Sequence, residues 1–169
     1  MKINQNKIIL APLLPNDFYL FEIWLDKDYI FKWFCPNGVL EKEDWYNEVK
    51  NSNGSFNHMK HFIVLYDNIK IGFCFYFDLH FEQDYTQKQY NIFVEKNNAF
   101  EIGYLIGEEE YLRKGIGKII IQKLEEKILE IGGKEIFADP LAGNIPSIKT
   151  LLSNGFVKIN DQDYRKKLI

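Results

Sequence analysis

A chain of 169 residues, 46% hydrophobic and 27% charged, carries enough apolar side chain for one globular core, so a single domain over residues 1–169 is expected. Acidic residues (24) outnumber basic ones (21), the net charge is −3, and Arg113 and Arg165 are the only arginines, a balance that disfavours a nucleic-acid partner. Cys35 and Cys74 cannot build a disulfide framework, no apolar leader opens the chain, and no apolar run nears the ~20 residues of a membrane span; a soluble cytoplasmic protein is expected.

Residues 7–14 predict a strand, after which Pro15-Asn16-Asp17 breaks the chain and caps a helix carrying Phe18, Leu20, Phe21, Trp24 and Leu25 at helical spacing. Residues 31–38, aromatic and ended by Pro36-Asn37-Gly38, are expected as a loop lining a site, and residues 41–50 as a helix with Trp45 and Val49 on one face. Residues 62–66 and 69–79 are β-rich and joined by Asp67-Asn68, the pattern of an antiparallel hairpin. The polar, aromatic-studded stretch 80–98 fits either a long excursion or a further strand. Beyond it come a strand at 100–106, a loop at 107–114 and a helix at 115–131 with Ile116, Ile120, Leu124, Ile128 and Ile131 in line, closed by Gly132-Gly133. A short strand at 135–138 precedes a helix capped by Asn144, with Pro146 in its first turn, Ile148, Leu151 and Leu152 facing the core, and Gly155 at its end. Strands at 156–159 and 164–168 flank Asp161-Gln162-Asp163. The order is that of an α+β fold, a mixed sheet with helices laid against it, in which the strands on either side of the 115–131 helix run parallel.

Chemistry enters at Arg113-Lys114-Gly115-Ile116-Gly117-Lys118, between a strand and a long helix, where glycines let backbone N–H groups approach an anion. A Walker loop ending at Gly117-Lys118 requires Gly at 112 and Ser or Thr at 119, where the chain has Leu112 and Ile119. A dinucleotide fingerprint from Gly115 requires a small residue where Ile120 stands. Two readings are left: a metal-free grip on a diphosphate, such as pantothenate-type cofactors carry, with Lys114 and Lys118 adding charge, or a glycine pair that serves packing alone.

Three segments together resemble the GNAT family of acyl-CoA N-acetyltransferases over the whole chain: Glu101-Ile102-Gly103-Tyr104-Leu105-Ile106, then Leu112-Arg113-Lys114-Gly115-Ile116-Gly117, then Asn144 to Phe156 with its Asn-x-x-Ser opening at Ser147. Within the family, the N-terminal pattern and the Asn-x-x-Ser helix are similar to ribosomal-protein N-terminal acetyltransferases, while Asp139-Pro140 and Trp33-Phe34 are similar to aminoglycoside 6'-N-acetyltransferases. The resemblance implies a GNAT fold with a mixed, mostly antiparallel central sheet, acetyl-CoA as acyl donor, no metal, and direct transfer without a covalent acyl-enzyme. It also implies that the backbone of Tyr104, Leu105 and Ile106 pairs with the pantetheine arm and offers an amide to the thioester carbonyl. Arg113, Lys114, Gly115, Ile116, Gly117 and Lys118 would hold the diphosphate, and Asn144 and Ser147 the other side of the arm. Three positions depart from the family pattern: Leu112 replaces a Gln or Arg, Leu151 replaces the tyrosine that many members use as acid, and Gly103 stands where aminoglycoside enzymes carry an aspartate base.

Glu101, on the strand leading to the thioester, is the candidate base, acting on an ammonium through one water; a structural carboxylate is the alternative. Tyr104 is the candidate proton donor, against a packing role. Glu108-Glu109-Glu110 either attract a cation or are simply solvated, and Trp33, Phe34 and Trp45 either wall a site or pack. Cys35 reads as a small inert residue, and His58, His61 and His80 lack metal-ligand spacing. The expected reaction is acetyl transfer to a primary amine, on a small cationic molecule such as an aminoglycoside if Glu101, Glu82 and Asp84 line an acidic pocket. Alternatives are the α-amine of a protein in an open groove, or a non-catalytic acyl-CoA-binding module; monomer and homodimer both remain open.

Overall fold

The computed structural model describes residues 3–168, and among them are seven strands and six α-helices. They are β1 (Ile8–Pro12), α1 (Phe18–Leu25), α2 (Asp28–Phe34), α3 (Val39–Lys50), β2 (Met59–Tyr66), β3 (Ile69–Asp78), α4 (Gln83–Tyr90), β4 (Ala99–Ile106), α5 (Ile116–Glu130), β5 (Glu135–Ala138), α6 (Ile145–Ser153), β6 (Val157–Lys158) and β7 (Tyr164–Lys167). The strands form one sheet in the order β1-β2-β3-β4-β5-β7-β6. β1 runs antiparallel to β2, with Ile8 opposite Tyr66, and β7 runs antiparallel to both β5 and β6. β4 and β5 are parallel, Glu101 lying opposite Phe137, because the α5 crossover returns the chain to the same end of the sheet. This is the α+β, mostly antiparallel arrangement read from the sequence.

Contacts sort the chain into two compact units, one running to Phe75 and including Tyr104–Ile120, the other made of Tyr76–Gly103 and the chain from Ile121 onward. In the first unit, Asp67 and Asn68 both adopt positive φ (51° and 67°), a two-residue turn whose twist suits an antiparallel hairpin and which Asp and Asn tolerate at little cost. Phe21, Trp24 and Leu25 are buried by their spacing on α1, and Phe21 meets Phe73 at 4.4 Å between ring centroids. Trp45 of α3 packs at 5.4 Å on Phe34 and at 5.3 Å on Phe75. In the second unit, Ile121, Leu124 and Ile128 of α5 are fully buried, as is Ile136, and Gly133 is pressed so closely on Ile128 that a Cβ would collide with it.

Two segments differ from expectation. The aromatic stretch expected as a loop at 31–38 is helical through Phe34, because buried Ile30 and the Phe34–Trp45 contact outweigh the weak helix propensity of aromatic residues. The unassigned stretch 80–98 holds α4, which ends where Asn91 turns left-handed at φ 54°. Among the described residues, no helix is long and apolar enough to cross a membrane.

Candidate active site

In the first unit, the exit of β4 is held by the N-terminal helices. Gly107 lies flat against the Trp24 indole, leaving no room for a Cβ. The indole N–H donates to Glu108 Oε1 at 2.7 Å, Lys27 Nζ donates to the Gly107 carbonyl at 2.6 Å, and the Tyr29 hydroxyl lies 2.8 Å from that carbonyl and 3.1 Å from the Ile106 carbonyl. Burial, with help from Glu109 and Glu108, pushes the Tyr29 phenol up to about 12, so it stays a donor. Glu108 is therefore a fixed member of this clasp, also 3.5 Å from Lys27, whereas Glu109 and Glu110 are exposed.

Beyond the clasp the chain turns left-handed at Arg113 (φ 58°) and again at Gly115 (φ 77°) before entering α5. Buried Ile116 anchors the helix start. Gly115 is exposed, and nothing lies within 4 Å of where its Cβ would stand; Gly117 is buried, and a Cβ there would lie 2.7 Å from the Tyr104 hydroxyl. One glycine thus opens space beside the loop, while the other lets the Tyr104 ring lie against the first turn of α5. The opening N–H groups of this 15-residue helix have no acceptor within the helix, and Lys114, whose ammonium lies 5.6 Å over the Tyr111 ring, and Lys118 flank its start in the sequence. Backbone donors, a helix dipole, two lysines and an uncrowded glycine form a donor set that fits a diphosphate.

In the second unit, Glu101 is 6% exposed on β4. The Tyr90 hydroxyl donates to its Oε2 at 2.6 Å and the Tyr85 hydroxyl donates to the same atom at 2.9 Å. Burial raises the Glu101 carboxyl well above the ordinary range, Asp139 and Asp163 raise it further, and the two phenols pull it down. Asp139 is itself raised to about 6, first by burial and then by Asp163. α4 carries both tyrosines and is tied down by Thr86 Oγ1 donating to the Leu79 carbonyl (2.9 Å) and by Gln89 Nε2 donating to Asp163 Oδ1 (2.7 Å). Each tyrosine is also wedged between rings, Tyr90 at 4.6 Å from Phe137 and Tyr85 at 6.1 Å from Phe77. The result is a buried carboxylate of raised basicity in an anionic setting, suited to receive a proton from an ammonium group.

A model of the acetyltransferase (GNAT) family matches residues 18–156. The chain belongs to the GNAT acetyltransferase family. It is accordingly an N-acetyltransferase. No curated protein is similar to it in sequence. Among solved structures, it is similar to an uncharacterized protein from Bacillus halodurans (TM-score 0.76, 16% identity, 99% of this chain and 88% of that one). It is also similar to AAC(6')-Ib in complex with paromomycin and acetyl-CoA (TM-score 0.72, 16% identity, 96% and 94%). A domain from Methanocaldococcus jannaschii matches at TM-score 0.71 and 27% identity, over 96% and 99%. The likeness at 16% identity is one of fold.

The other residues singled out within this GNAT chain fall into distinct places. Asn144 caps α6, its Oδ1 accepting from Ser147 N at 3.4 Å. Leu105 is buried, and Tyr104 and Ile106 are half-buried. Leu151, where many members carry a tyrosine, is 2% exposed and belongs to the core of its unit. The carboxylates acting on Glu101 are Asp139 and Asp163, where the sequence suggested Glu82 and Asp84. Trp33 is half-buried beneath the Lys32 ammonium, 4.9 Å from its ring centroid, and Phe34 packs on Trp45. Burial pushes the Cys35 thiol up to about 11, consistent with an inert residue. His61 Nε2 pairs with Glu48 at 2.7 Å, and His80 Nδ1 bonds the Val94 carbonyl at 3.0 Å. Among the described residues, no cluster of His, Cys, Asp and Glu could hold a metal ion. No local motif marks Tyr85, Tyr90 or Asp163 as site residues, and Asp139 stands out in the sequence only for its Asp-Pro pattern.

Proposed function

We propose that this GNAT enzyme acts as one domain over residues 1–169, in the cytoplasm, and transfers acetyl from acetyl-CoA to a primary amine of a small polycationic molecule such as an aminoglycoside. The observation that carries the reading is the buried Glu101, whose neighbours are two phenols and the carboxylates of Asp139 and Asp163. Such a setting favours a cationic guest, since an ammonium restores the charge balance that burial has upset. The fold shared with AAC(6')-Ib, a protein solved with paromomycin and acetyl-CoA, supports the same substrate class.

In this scheme the first-turn N–H groups of Ile116, Gly117 and Lys118, with Gly115, Arg113 and Lys114, hold the diphosphate of the donor. The backbone of Tyr104, Leu105 and Ile106 aligns the pantetheine arm and polarises the thioester carbonyl, and Asn144 and Ser147 are further donors and acceptors for the arm. Glu101 takes a proton from the substrate ammonium, directly or through one water. The freed amine forms the C–N bond as the C–S bond breaks, the departing sulfur takes a proton for which Tyr104 is the candidate donor, and the second proton of the acylated nitrogen passes through water to restore the Tyr104 phenol. Acetyl never resides on the protein.

The test is acetyl-CoA turnover, read as free thiol, against aminoglycosides, polyamines and short peptides with free N-termini, each product checked by mass. Turnover on the polycations supports the proposal; turnover confined to the peptides refutes it.

A further inference from the structure

We propose that Tyr90 and Tyr85 are positioning residues for the transfer, an unequal clamp that holds Glu101 by Oε2 and leaves Oε1 to meet the substrate amine. The inference rests on the reading of Glu101 as the base and adds the parts that aim it.

Both hydroxyls converge on one oxygen, at 2.6 Å from Tyr90 and 2.9 Å from Tyr85, although they stand five residues apart on α4. Each hydroxyl has one proton to donate. Tyr90 is buried and makes the shorter bond to Glu101, whereas Tyr85 is half-buried and makes the longer one, so the two do not hold the carboxylate equally. The phenols themselves cannot ionise in this setting: burial first, and the Glu101 charge next, drives both far above the ordinary tyrosine range. They remain donors at every working pH. Hydrogen bonds to an ionised carboxylate stabilise that form, so the clamp opposes the burial that would otherwise leave Glu101 protonated and unable to accept a proton. Ring packing of Tyr90 on Phe137, and of Tyr85 on Phe77 and Tyr90, fixes the direction from which the hydroxyls arrive.

The experiment combines two readouts on the full chain. With 13C-carboxyl labels on Glu and Asp, the Glu101 signal is identified by its loss in Glu101→Gln and its midpoint followed in wild type, Tyr90→Phe and Tyr85→Phe. Each Phe variant keeps the ring and removes only the hydroxyl. The expected result is a higher Glu101 midpoint in Tyr90→Phe, by about one pH unit or tenfold in proton affinity, and a smaller rise in Tyr85→Phe. An unmoved Glu101 midpoint in Tyr90→Phe overturns the clamp. In parallel, the pH dependence of kcat/KM is measured with acetyl-CoA and paromomycin. If Glu101 is the base, Glu101→Gln abolishes the acid limb, and Tyr90→Phe shifts it to higher pH with activity recovering above it. A uniform loss at all pH values in Tyr90→Phe means packing alone and also overturns the clamp. An acid limb unchanged in Glu101→Gln instead removes the base reading, and the catalytic role of the clamp with it.

Discussion

Replacing Gly115 and Gly117 by alanine, one at a time, separates a ligand-binding role of the loop from a packing role. At Gly115 the new methyl meets nothing within 4 Å, but the backbone is left-handed at φ 77°. The stability cost is that of one alanine in this region, about 1–2 kcal/mol, or roughly 2–8 °C in Tm for a chain of this size. Under the proposed role of the loop in gripping a diphosphate, a methyl in the open space at Gly115 displaces charge-assisted hydrogen bonds of about 1.5–3 kcal/mol each. Losing one lowers CoA affinity by about 10- to 100-fold. Gly117→Ala behaves differently, since its methyl lies 2.7 Å from the Tyr104 hydroxyl and 2.9 Å from Cε2 and Cζ, so the ring must shift. Overpacking of this kind costs about 1–3 kcal/mol, and it moves the Tyr104 hydroxyl, so under the proposed role of Tyr104 as proton donor turnover falls together with stability. Calorimetric titration of CoA and thermal unfolding, run on both variants, check this. If Gly115→Ala binds CoA as wild type does, the loop does not grip the diphosphate.

Three further outcomes follow from the geometry. The folded-state pKa of Asp139, about 6, lies above its unfolded value near 3.8, so the folded protein binds the extra proton between these values and its stability falls as pH rises through that window. Asp139→Asn therefore gains on wild type by up to about 3 kcal/mol between pH 4 and pH 7, a difference that urea melts at several pH values resolve and that a pH-independent gap refutes. Cys35 and Cys74 are buried, and the Cys35 thiol is held up near 11, so neither thiol reacts with Ellman's reagent until the chain unfolds; fast labelling of the native protein contradicts this. Leu151→Ala removes a fully packed side chain and costs about 2–5 kcal/mol by denaturant titration, whereas a loss of activity at unchanged stability would mean Leu151 works at the site.

What the sequence disclosed was what periodicity and local chemistry carry. The α5 repeat, the Asn144 cap, the Asp67-Asn68 turn and the glycine loop each need only a few neighbouring residues to be recognised. The Glu101 cluster needs more. Tyr85 and Tyr90 lie 16 and 11 residues before Glu101 in a short, mostly polar eight-residue helix, and only the tertiary fold turns both hydroxyls on one atom. Glu108 looked like part of a solvated run because its indole donor is 84 residues away. α2 was hidden by the opposite problem, an aromatic content that suggests a site wall when local propensity alone is weighed.

The clasp around Gly107 bears on biosynthesis. Its donors, Trp24, Lys27 and Tyr29, are made early, and the groups they hold follow 77 to 84 residues later. On the ribosome these helices emerge with their indole, ammonium and phenol still in water, and the exit of β4 takes shape only once residue 108 has cleared the tunnel. The loop that follows is thus among the last parts of its unit to be ordered, and a nascent chain halted before that point presents the N-terminal helices without the strand end they clasp.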